Sequence, residues 1–109
     1  MKNTTKTNKT ASVYVAVESV FAANVITNAI NAAKASDVTL SIYRKNGIAR
    51  KTGKLVLTIE EANALSKALE AYAKTTSHAA SAKMAKSIAF GTRMRTAAAC
   101  KAVKAEAKA

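Results

Sequence analysis

The segment Leu55–Glu61 limits the fold more than any other, because its hydrophobic period changes within a few residues. Leu55, Leu57 and Ile59 alternate with Val56 and Thr58, the two-residue repeat of a strand with one buried face. From Thr58 onward the repeat becomes helical, with Ala62, Leu65, Leu69 and Tyr72 on one side. Thr58 and Glu61 have the spacing of a capping box, in which each side chain bonds the other residue's backbone N–H. Glu60 and Glu61 also suit the positive end of the helix dipole. The helix is expected over 59–74, ending in Lys74-Thr75-Thr76-Ser77. A strand running into a capped helix requires mixed α and β structure, so the expected fold class is α+β.

A chain of 109 residues suits one domain. Residues 1–11, rich in Lys, Thr and Asn, are expected to be a flexible basic arm, residues 12–96 the domain, and residues 97–109 a helical or frayed basic tail. Over 12–35 a long helix is expected. In 100° steps Tyr14, Phe21, Ala22, Val25, Ile26, Ala29, Ile30 and Ala33 share one arc, opposite Asn24, Thr27, Asn28 and Asn31. The alternation of Val13, Val15 and Val17 keeps a strand at 13–17 as the rival reading. The front of this segment is apolar nearly all round, so it wants two partners, either within its own domain or across a homodimer interface through helix 12–35. Val38, Leu40 and Ile42 alternate with Thr39, Ser41 and Tyr43 as a half-buried strand, and Asn46-Gly47 is a type I′ turn signal. Residues 38–59 therefore read as a basic β-hairpin with a long tip, or as a three-strand meander with Ile48–Lys51 in the middle.

Residues 78–108 are rich in alanine and lysine and favour helix, with Ser77 as the expected cap. If the helix continues through Gly91, then Lys83, Lys86, Arg93, Lys101, Lys104 and Lys108 share a narrow arc. Phe90 and Met94 would then sit on the basic side, which argues for a break at Gly91. Cys100 reads as a small filler of this segment.

Charge dominates the functional reading. Eighteen Lys and Arg against six Asp and Glu give a formal charge of +12, which draws polyanions from a distance. The lone Cys100 cannot form an internal disulfide, and the amino-terminal segment has no signal-peptide pattern, so a cytoplasmic location is expected. The least charged stretch, Val13–Ala33, contains Glu18, Asn24, Asn28 and Asn31, so no membrane span is expected. His78, the only histidine, has no placed carboxylate partner, and one Cys with one His is too few for a usual zinc site. No enzyme activity, catalytic residue, metal or cofactor is expected.

Arg44, Lys45, Arg50, Lys51 and Lys54 fall between Val38 and Ile59, a stretch with no acid. They form the expected primary site for DNA or RNA, acting through phosphates with little sequence preference. Tyr43 is placed to stack on an unpaired base, and Lys83, Lys86 and Arg93 form a secondary site. The run Arg50-Lys51-Thr52-Gly53-Lys54-Leu55-Val56-Leu57, after a helical part, resembles the arm of bacterial histone-like HU proteins. The resemblance implies DNA binding by a dimer through such arms. It departs from the family in lacking any proline at the arm tip and in the long helices that follow. The rival functions are a small protein-interaction module docking on an acidic protein surface, and a structural subunit of a nucleoprotein assembly.

Overall fold

The computed structural model describes residues 12–108. The arm expected at 1–11 and Ala109 lie outside the described residues, as do the side chains from Ala105 onward. The order is β1 (Ser12–Ala16), α1 (Val20–Ala32), α2 (Asp37–Thr52), β2 (Lys54–Thr58), α3 (Ile59–Thr75) and α4 (Ala79–Lys108). The fold is α+β, built on the expected strand-to-helix joint. Glu61 N–H donates to Thr58 Oγ1 at 3.1 Å, and Thr58 N–H donates to Glu61 Oε1 at 2.9 Å.

The amino-terminal helix is shorter than expected, because residues 12–16 take the rival strand reading. β1 pairs antiparallel with β2, setting Val13 opposite Leu57, Tyr14 opposite Val56 and Val15 opposite Leu55. The alternating valines supply the partner that β2 needs to bury Leu55 and Leu57. Ser19 then caps α1, accepting from Ala22 N–H at 3.1 Å. The apolar stripe of α1, from Ala22 and Ala23 through Val25, Ile26, Ala29 and Ile30, is buried inside the chain's own core. Of the two partners open to this stripe, it takes the one within its own domain.

The expected strand at 38–43 and the turn at Asn46-Gly47 are corrected: both belong to α2. The alternation there covers only a few residues, and a helical period instead buries Ile42, Asn46 and Ala49 and leaves Leu40 exposed. A capping box starts the helix, with Thr39 N–H donating to Ser36 Oγ at 3.2 Å and Ser36 N–H to Thr39 Oγ1 at 2.9 Å. Asn46 is not a turn residue. It is buried, and its Nδ2 donates to Ala23 O at 3.1 Å and Thr27 Oγ1 at 3.0 Å on α1. The helix ends at Gly53, whose φ of 79° reverses the chain into β2. Neither hairpin nor meander forms over 38–59, and the HU-like β arm is absent.

Val13, Val15, Leu55 and Leu57 line the inner face of the sheet and pack with Ile26, Ile42, Leu65 and Leu69. Each of these aliphatic side chains contributes about 2 kcal/mol relative to exposure. α4 closes the core as one helix, unbroken at Gly91, burying Ala85, Ala89, Thr92 and Thr96. The two threonines satisfy their hydroxyls on Ile88 O and Thr92 O, both at 2.7 Å. Its first turn is held by His78 rather than Ser77: Ser81 N–H donates to His78 Nδ1 at 3.2 Å.

Candidate nucleic-acid interface

α2 divides the expected primary site. Arg44 and Lys51 are exposed on its outward face. Lys45 turns toward α3, its Nζ 2.7 Å from Glu61 Oε1, while Ser41 donates to the other carboxylate oxygen. Burial pushes the Glu61 carboxyl up, but the Lys45, Ser41 and Thr58 hydrogen bonds outweigh it and leave it below the ordinary range. Lys45 therefore ties α2 to α3. Arg50 crosses to α1, with Nη2 2.8 Å from Asn24 Oδ1 and 3.3 Å from Thr27 Oγ1. Those partners are neutral, so they orient the guanidinium without cancelling its charge. Lys54 stands over the Tyr14 ring, its Nζ 5.3 Å from the centroid. Arg50, Lys51 and Lys54 thus flank the tight turn at Gly53. Tyr43 lies on a helix with Leu40 and Ile48, not on a strand.

α4 sorts the secondary site in the same way. Lys83 and Lys86 are exposed, and the continuous helix adds Lys101 and Lys104 to their face. Phe90 and Met94 share that face, 69% and 59% exposed, where the helical phase puts them. Their position does not break the helix, because Ala85, Ala89, Thr92 and Thr96 anchor its opposite side. Arg93 is paired within the chain: it grips Glu70 of α3 through Nε and through Nη2, the latter 2.6 Å from Oε1, in an exposed ion pair. The Arg93 hydrogen bonds hold the Glu70 carboxyl below its ordinary range and raise the guanidinium in return.

Two residues outside the expected site join it. Tyr14 lies on the solvent face of the sheet, and Arg95 of α4 donates to its carbonyl oxygen. The rival strand at 13–17 carried the signal for Tyr14, since alternation with Val13 and Val15 turns it outward. Lys54 thus stands over the exposed ring of Tyr14, while Arg95 bonds the backbone of the same residue. Beside them an open cleft of 240 Å³ lies between α4 and the β1–α1 connection, lined in part by Glu18, Ser19, Ser87 and Gly91.

Comparison with protein families, with curated proteins and with solved structures finds no match to this chain. Among the described residues no group of His, Cys, Asp and Glu side chains is placed to hold a metal ion, and no helix is long and apolar enough to cross a membrane.

Proposed function

We propose that this protein binds nucleic acid in the cytoplasm through phosphate contacts, with little sequence preference, chiefly along the outer face of α4. The observation that carries the reading is the row Lys83, Lys86, Lys101 and Lys104. All four are exposed on one unbroken helix, and none is in an ion pair among the described residues. At 1.5 Å per residue the row is about 32 Å long, close to one turn of duplex. Lysines on a rigid rod neutralise phosphates without reading base edges. Phe90 and Met94, between the two lysine pairs, meet sugars or unstacked bases. Arg50 and Lys54 at the Gly53 turn add a second contact.

Fluorescence anisotropy with a labelled duplex DNA and a labelled single-stranded RNA, repeated across salt, tests the reading. Log affinity is expected to fall linearly with log salt, with a slope of about −3 to −4 for four phosphate contacts on duplex. Binding that barely changes with salt, or no binding to either ligand at low salt, contradicts it.

A further inference from the structure

The outward face of α2 is left unused by the fold. Leu40, Tyr43, Arg44, Gly47, Ile48 and Lys51 recur at three- and four-residue spacing, opposite the buried Ile42, Asn46 and Ala49. Leu40, Tyr43 and Ile48 are 48%, 49% and 63% exposed. Scattered singly they need no explanation, but on one helix they form a patch. At its amino-terminal end the patch opens into a groove of 530 Å³, lined by Ile30, Ala33, Leu40 and Tyr43 among apolar residues and by Asp37 and Thr39 among polar ones. Toward the carboxyl end stand Arg44 and Lys51, about 10 Å apart along the axis. Neither is in an ion pair among the described residues. Asp37, the one acid of α2, sits in the first turn, where the helix dipole favours it.

Gly47 lies in the middle of this face. A Cβ there would meet nothing within 4 Å, and its φ is not positive. Neither crowding nor backbone geometry within the chain calls for glycine, which weakens a helix relative to alanine. What it provides is bare backbone on the outer surface, where a second helix can approach closely.

We propose that the outer face of α2 docks an acidic amphipathic helix of another protein. Its apolar side chains lie on Leu40, Tyr43 and Ile48 and in the adjoining groove, its carboxylates oppose Arg44 and Lys51, and its backbone crosses at Gly47. Charge and composition select this occupant. A second copy would bring Arg44 and Lys51 against cations of a chain that already carries +12. A phosphate backbone would find only two free cations over three turns, and its affinity grows with the number neutralised. It would also leave the apolar patch unmatched. The surface is distinct from the lysine row of α4, so either proposal can fail alone.

The full chain is titrated by anisotropy with two labelled synthetic peptides of about four helical turns, both made of leucine and glutamate. In one the leucines share a helical face, and in the other they are scrambled. The amphipathic peptide is expected to bind at least about ten-fold more tightly, and Ile48→Ser to remove most of that gain. Gly47→Gln is expected to preserve or raise the melting temperature while weakening the peptide, a pair of effects that misfolding cannot produce. Lys101→Gln with Lys104→Gln leaves peptide affinity unchanged. Equal binding of the two peptides overturns the proposal. So does binding unaffected by both Ile48→Ser and Gly47→Gln, a dimer in sedimentation that Ile48→Ser dissolves, or displacement of the peptide by duplex DNA that depends on Arg44 and Lys51.

Discussion

Glu61 carries several duties at once: it completes the cap of α3, receives Ser41 and anchors Lys45 from α2. Because its carboxyl titrates below the ordinary range in the folded chain, the stability it supplies is complete above the unfolded pKa. That stability is lost as pH falls through the folded value. Thermal melts are therefore expected to fall in midpoint below about pH 4.5, the ordinary carboxyl value. Glu61→Ala is expected to cost about 2 kcal/mol at neutral pH and to flatten that acid limb, since Lys45 is left near enough to solvent to rehydrate. An unchanged acid limb in the variant would show that other carboxylates carry it. Asn46 tests the joint between α1 and α2. Asn46→Ala is expected to lose about 2 kcal/mol by chemical denaturation, and Asn46→Asp more, because a carboxylate would face the Ala23 carbonyl in a buried site.

At the scale of elements, the joint of β2 and α3 was legible because its signals are local: an alternation, a cap and a helical stripe within one stretch. α2 was not, because Val38 and Ile42, four residues apart, fit both periods, and only the helical one leaves Leu40 exposed. What decides it is the burial of Asn46 against α1, a contact 23 residues away in sequence. The phase of Lys83, Lys86, Lys101 and Lys104 was legible from helical geometry alone. The pairing of Lys45 and Arg93 with acids was not, because those acids lie 16 and 23 residues away. Tyr14 and Arg95 come together only through tertiary packing, since 81 residues separate them. The continuity of α4 yields its own prediction. An added Cβ at Gly91 meets nothing within 4 Å. Gly91→Ala is expected to stabilise the chain by about 1 kcal/mol and raise the melting temperature by about 4–8 °C. A loss of stability would place a bend there.

For the whole molecule, the balance of charge separates structure from binding. Two cations, Lys45 and Arg93, are held by the chain's own acids and tie α3 to its neighbours. The remaining cations described above stand in solvent, each costing some self-repulsion in the compact state. They are not gathered on one ribbon. They divide between the face of α4, the turn at Gly53 and the face of α2. The α4 set has the length and regularity of a phosphate track, and the α2 set sits within an apolar patch.

The most direct test compares the full chain with a variant in which Lys83, Lys86, Lys101 and Lys104 are all glutamine, titrated with one labelled duplex across salt. With an unchanged thermal melt, the variant is expected to bind more weakly at low salt and to have a salt slope shallower by about 3 to 4 units. A variant that binds with the parent's affinity and slope would contradict the assignment of the α4 face as the phosphate-binding surface.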